Sequence, residues 1–421
     1  MFQYCDKLNS FYSDLSSLLT ANSMFADCSS LKMFNANLDN LRFGSEMFIG
    51  CTSLPEFSTE ISSLVNGKQM FRGCTELKSF DSYLTALKNG DNMFNGCVKL
   101  ETFTANGHLG NLESAISMFN GCKALKGFYE ELPSLTDGTQ MFQYCETMET
   151  FDSNLSSLTD ADSMFEKCEK LKTFDASLSS LTTGNTMFNY CTSLATFYSD
   201  LSSLTNSNGM FNGCEKLKTF DASLSSLTNS SEMFKDCSSL ESFNSDLRSL
   251  TTSTKMFDGC SSLLDFYADM RSLQTSGDMF SGCKKLNSFY SNLSNLTNGS
   301  NMFDGCYNLN SFDIVNHNLS KLQNGSRMFV GTKIERFDCN TASLTNGYEM
   351  FYGCRNLSTL GLRVNLDSLV DGTRMFYDVS LPSFSAPLPY LEQASGMFSE
   401  SSITSFTTTS LPCLRNAGHM F

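Results

Sequence analysis

The chain has 421 residues, no Trp, and 44 acidic side chains against 29 Lys and Arg, a formal charge of −15. An acid excess of that size, with no basic stripe, repels phosphate and argues against nucleic acid or anionic membrane surfaces as partners. No apolar run has the length of a membrane span, and the N-terminal segment lacks the basic and apolar pattern of a secretory leader, so membrane insertion is not expected.

A frame opens at Met1-Phe2 and never stops. Met-Phe recurs with Met at 19 positions from 1 to 420, and 13 of the 18 intervals are 23 residues. A fixed period in this range is the signature of a solenoid and overrides the usual prior of several domains for this length. Residues Cys168–Thr182 and Cys214–Thr228 are identical, because each turn of a solenoid meets nearly the same neighbours. The expected fold is an α/β-type repeat solenoid of about 18 coils of ~23 residues, forming one domain over 1–421. Its frame is regular over 1–302 and irregular over 302–421.

Within the unit that starts at Met210, the segment Met210, Phe211, Cys214, Leu217 has a three-to-four spacing. It predicts a short helical or 3₁₀ segment, held by stacking because it is too short to stand alone. Phe220, Ala222 and Leu224 then alternate with Asp221 and Ser223, which predicts a half-buried strand. In-register strands make one parallel sheet, and a Thr-Asn-Gly or Thr-Asp-Gly turn follows, as at Thr136-Asp137-Gly138 and Thr297-Asn298-Gly299. Of 37 Phe, 19 follow the repeat Met and 17 occupy the slot of Phe220; only Phe43 lies outside both.

Later in the chain the frame breaks. A 25-residue repeat holds His108 and a 26-residue repeat holds His317; both read as loop or bulge residues, and His419 is the only other His. Three late repeats, "MFVGTKIERF", "MFYDVSLPSF" and "MFSESSITSF", lack the Cys and are one residue shorter from Met to Phe. The frame runs to Met420-Phe421 without a polar capping unit, which leads to the expectation of a segment of a longer protein, or of ends that stack on something.

Seventeen Cys are present, and 15 share one slot. Neighbouring parallel coils hold Cβ atoms ~4.8 Å apart, beyond disulfide reach, and a straight column cannot wrap a tetrahedral ion. Reduced, buried thiols are expected, with no metal and no cofactor. Cys339 and Cys413 stand outside the column and are the expected accessible thiols.

The frame Met-Phe-x-x-Cys-x-x-Leu-x-x-Phe followed by Leu-Ser-Ser-Leu resembles the BspA-like leucine-rich repeats along the whole chain. That family is known for surface proteins, several of them adhesins. The resemblance implies a place outside a cell or on a cell or virion surface.

A uniform array makes no unique pocket, no catalytic motif is visible, and an enzyme is not expected. The variable positions are two outward strand columns. They place Tyr12/Asp14, Asp81/Tyr83, Tyr129/Glu131, Tyr198/Asp200, Tyr267/Asp269 and Tyr290/Asn292 as candidate ligand-binding pairs. Asp152, Asp175, Asp221, Asn244 and Asp246 belong to the same columns. Rigid Tyr beside adaptable polar groups is the palette of a binding surface, and Lys and Arg are absent from the 26 sites of these columns between Tyr12 and Asn292. The expected function is non-enzymatic recognition of a protein or glycan on this face. The rival is a structural stalk or fibre-forming spacer with end-to-end self-association, for which polar outward strand positions are ordinary surface.

Overall fold

The structure, a computed structural model, describes residues 1–107 and 109–421; the His108 reading lies outside the described residues. The chain is a parallel β-solenoid of about 17 turns of ~23 residues. By packing it divides into two compact units, Met1–Leu204 with Gly213–Glu215, and Thr205–Asn212 with Lys216–Phe421.

Each turn contributes one short strand, from Ser10–Asp14 to Ser405–Thr407. Every pairing is parallel and in repeat register: Phe11 opposite Phe34 and Phe174 opposite Phe197 in the first unit, Phe220 opposite Phe243 and Phe289 opposite Phe312 in the second. The expected single sheet is instead eight sets of two or three strands. Most strands are two residues long, such as Thr219–Phe220, so the ladder is easily interrupted. The predicted alternation is present, with Phe220, Ala222 and Leu224 buried and Asp221 and Ser223 exposed.

The Thr-Asn-Gly segment is more than a turn. Its Asn slot forms a second parallel column one residue wide, running from Thr20 to Thr183 in the first unit and from Asn206 to Asn416 in the second. The Asn66 Oδ1 then accepts the Lys68 N–H at 3.0 Å, and Asn298 Oδ1 accepts the Ser300 N–H at 3.1 Å. One side chain thus closes an Asx turn while its backbone bridges two turns. Phe43, the aromatic outside the frame, stands in this column between Thr20 and Asn66.

The Met-Phe-x-x-Cys segment is not helical, which corrects the expectation from its spacing. The Phe25 and Asp27 N–H groups donate to Met47 and Ile49 of the next turn, at 2.8 and 2.7 Å. Between them, Met24, Ala26 and Cys28 donate three residues back, to Ala21, Ser23 and Phe25. A helix needs every N–H for its own ladder; here alternate ones go to the neighbour. Left-handed residues on both sides of Met-Phe, Ser23 (φ 52°) and Asp27 (φ 58°), also break any helical run. In the second unit Lys255 (φ 57°) and Gly259 (φ 78°) repeat the pattern. Gly recurs at the second of these slots because it takes that conformation without a Cβ clash.

Inside, two Phe per turn build the core. Phe25 stacks on Phe48 at 5.5 Å and meets Phe34 edge-on at 5.3 Å; Phe257 stacks on Phe280 at 5.2 Å and meets Phe243 edge-on at 4.9 Å. Offset stacks along the axis and edge contacts across it are the two preferred aromatic geometries. Met, Cys and Leu of each turn fill the remaining interior.

Late in the second unit, where turn lengths change, charges tie the turns together. Buried Glu349 accepts from Arg327 Nη1 at 2.6 Å and from Arg374 Nη1 at 3.4 Å, and Arg327 also donates to Asp304 at 2.8 Å. Glu349→Ala is expected to destabilise this region by about 1–3 kcal/mol, below the full cost of breaking a buried pair because both guanidiniums reach solvent. Denaturant unfolding at low and high salt checks this, and a loss that does not shrink with salt would contradict the ion-pair account.

Candidate site on the strand face

The candidate residues occupy the outward face as read from the alternation. Tyr12, Tyr83, Tyr129 and Tyr198 in the first unit and Tyr267 and Tyr290 in the second are 45–69% exposed. Asp81, Glu131, Asp152, Asp175, Asp200, Asp221 and Asn244 are exposed as well, while Asp246, Asp269 and Asn292 are half-buried.

The Tyr side chains do not simply stand in solvent. Tyr129 Oη lies 2.6 Å from Thr150 Oγ1 on the neighbouring strand. Its ring folds over Gly127, where an added Cβ would meet the phenol oxygen at 2.6 Å. Tyr12 Oη likewise donates to Met33 Sδ at 3.3 Å. These rings lie along the face, as a preformed contact surface requires.

The second column has a structural duty that the sequence reading missed. Asp14, Asp200, Asp246, Asp269 and Asn292 each accept, through Oδ1, the N–H two residues on, at 2.9–3.1 Å. These are Asx turns that end the strand. The Ser16 N–H holds the Asp14 carboxyl below its usual range. The fixed position of Asp or Asn immediately before Leu (Met270 after Asp269) was the available signal. Arg248 and Arg271, absent from the columns, bend back onto Asp246 and Asp269 in the second unit, so the face there is less acidic than its columns suggest.

Two irregular turns of the second unit rise beside this face. The 26-residue turn carries a 3₁₀ turn, Val315–His317, placing His317 in the bulge expected for it. Asn316 (φ 58°) and His317 (φ 50°) are both left-handed. The 25-residue turn carries exposed Leu362 and Arg363, and Asp338 anchors it. Asp338 accepts the Arg363 backbone N–H at 3.0 Å and its guanidinium at 2.7 Å, with Arg336 at 3.1 Å. The Arg363 N–H first, then both guanidiniums, lowers the Asp338 carboxyl. His419, also left-handed, is exposed.

The thiols are free, and 15 of the 17 are buried. From Cys28 onward each column Cys does more than fill space: Cys51 Sγ donates to the Phe25 carbonyl at 3.2 Å, and Cys260 Sγ to the Phe234 carbonyl at 3.0 Å. Buried Thr332 and Val379 take the slot in two of the short repeats. The accessible pair is Cys5 and Cys413. Cys339, expected to be accessible, is buried, and burial pushes its thiol up to about 12. Among the described residues no group of three His, Cys, Asp or Glu side chains is placed to hold a metal ion.

Parallel turns of this length with a Leu-rich, Phe-stacked interior define a leucine-rich-repeat solenoid. The BspA type leucine rich repeat region (6 copies) matches residues 1–126, 136–264, 228–358 and 274–405, and the chain belongs to that family. The fold is similar to a leucine-rich repeat protein from Bacteroides ovatus, at 17% identity over 82% of this chain and 88% of that one, with TM-score 0.48. It is also similar to a leucine rich cell surface protein from Faecalibacterium prausnitzii, at 17% identity over 73% and 87% of the two chains, with TM-score 0.38. A third similar structure is a leucine-rich repeat protein from Eubacterium ventriosum, at 17% identity over 85% and 86%, with TM-score 0.37. No curated protein matches the sequence significantly.

Proposed function

We propose that the chain is a non-enzymatic recognition protein that takes a protein or glycan ligand on the strand face of its turns, at a cell or virion surface. The observation that carries this reading is the contrast between a core that barely changes and a Tyr/Asp/Asn face that changes at every turn. Tyr supplies contact area at low entropy cost, and Asp, Asn and Glu131 supply acceptors beside it. Repetition lets a long partner touch several turns at once, so individually weak contacts combine. The Asx turns favour the structural reading for the second column alone, because they account for its Asp and Asn without a ligand. The ligand-facing burden therefore falls on the first column: Tyr12, Asp81, Tyr129, Asp152, Asp175, Tyr198, Asp221, Asn244, Tyr267 and Tyr290, together with Tyr83 beside Asp81.

Tyr129→Ala with Tyr198→Ala in the first unit, and Tyr267→Ala with Tyr290→Ala in the second, should each leave unfolding within about 0.5 kcal/mol of the parent, as surface changes do. Arrays of glycans and of surface proteins, probed with the parent and both double variants, read the function. Loss of most affinity in one or both variants supports the reading. Full retention in both, with binding abolished by changes on the turn side, hands the face to the stalk alternative.

A further inference from the structure

In the second unit two long turns interrupt the strand face, and clefts open beside them. The Val315–His317 turn stands at the end of the strand Ser311–Ile314, where Tyr290 lies directly opposite Asp313. Asn316 and His317 are the only adjacent pair of left-handed non-Gly residues among the described residues. On one side of this wall a cleft of about 280 Å³ is lined by Tyr267, Asp269, Arg271, Tyr290, Asn292 and Val315. On the other side a cleft of about 480 Å³ is lined by Tyr290, Asp313, Val315, Asn316, His317 and Arg363. Tyr290 and Val315 belong to both, so the two clefts meet at one ring.

We propose that this double cleft binds a short neutral saccharide, with Tyr290 as the central stacking platform and Tyr267 as its neighbour. This rests on the recognition reading above and narrows it to one place and one ligand class. Three observations select the class. The volumes fall at the scale of small-ligand pockets, not of the ~800 Å² per partner that a stable protein interface buries. Of the charges lining the clefts, Asp269 is paired with Arg271 and Arg363 with Asp338 just outside, which leaves Asp313 as the one carboxylate without an ion pair among the described lining residues, so the clefts are close to neutral and disfavour an anion. What remains is a set of fixed donors and acceptors, the Asn292 and Asn316 amides, Asp313 and the Arg edges, around exposed aromatic faces. A sugar ring offers the complement, hydroxyls around its rim and C–H groups on its face.

The test uses the full chain with maltotriose, cellotriose and triacetylchitotriose as probes. Tyr fluorescence reports occupancy without Trp interference, since the chain has none. At least one of the three should bind saturably at millimolar concentration. Tyr290→Ala should weaken it about tenfold or more, and Tyr290→Phe, which keeps the ring, by less. Tyr390→Ala, exposed in the second unit but outside both clefts and both columns, should leave it unchanged. Hydrogen exchange that matches the parent shows that Tyr290→Ala still folds. If none of the three binds, or if Tyr290→Ala binds as the parent does, the saccharide cleft is overturned. The array experiment then decides the broader recognition reading independently.

Discussion

Phe257→Ala is expected to destabilise its turn by about 3–5 kcal/mol while turns several repeats away keep their protection. The ring is fully buried and touches four others: Phe234 and Phe280 in stacks at 5.5 and 5.2 Å, Phe243 and Phe266 edge-on at 4.9 and 5.5 Å. Truncation leaves a void that cannot collapse, because backbone bonds such as Phe257 N–H to the Met279 carbonyl fix the spacing of adjacent turns. The loss is local because each turn contacts only its neighbours. Hydrogen exchange followed by mass spectrometry should show faster exchange centred on residues 234–280, fading with distance. Uniform loss of protection throughout the second unit would show that its turns unfold together and would contradict nearest-neighbour stability. Leu360, which stands where 17 other turns carry Phe, shows that the strand slot accepts a smaller apolar residue when the surrounding turn is built for it.

Much of this fold is legible in the sequence because few alternatives satisfy its constraints. Phe220, Ala222 and Leu224 with polar residues between them have one economical solution, a strand with its apolar face inward. The spacing of 23 residues fixes the register of every pair but Ser383–Ser385 with Ser405–Thr407, which is offset by 22. The segment Met210 to Leu217 is less legible, because a three-to-four spacing fits both a helix and a string of tight turns. The difference lies in left-handed backbone at Gly209 (φ 61°) and Gly213 (φ 73°). Side-chain periodicity does not display that conformation, although the recurrence of Gly three residues after Met hints at it. On the candidate face, exposure could be read from alternation, but the use made of each side chain could not. Asp200 and Asp269 hold the same slot, and the Arg271 two residues after Asp269 is visible in the sequence, but that it folds back to close off the carboxylate is not. The double cleft around Tyr290 arises from insertions, and insertions are visible as broken period long before their shape is.

Alkaline pH should dismantle the solenoid well before Tyr or Lys would be expected to matter in native surroundings. Burial first of all raises the thiols of Cys74, Cys145 and Cys191 in the first unit and Cys283 in the second well above the ordinary value; Cys354 is pushed up to about 12. Unfolded Cys ionises near pH ~8.5. Below that pH both states keep the proton and the folded state retains its full advantage. As pH rises toward the folded-state value, only the unfolded state gains by releasing it, so stability falls. The loss reaches ~2 kcal/mol per buried thiol by pH ~10, and nearly every turn carries one. Thiol counting gives the matching chemical result: at pH ~8 a thiol reagent should find at most Cys5 and Cys413 in the native chain and all 17 in denaturant. Replacing Cys260, Cys283 and Cys354 with Ala should lower stability at neutral pH but flatten its fall between pH ~8.5 and ~10 locally in the second unit. An equal alkaline loss in parent and variant would place the sensitivity elsewhere and overturn the account of the thiol column.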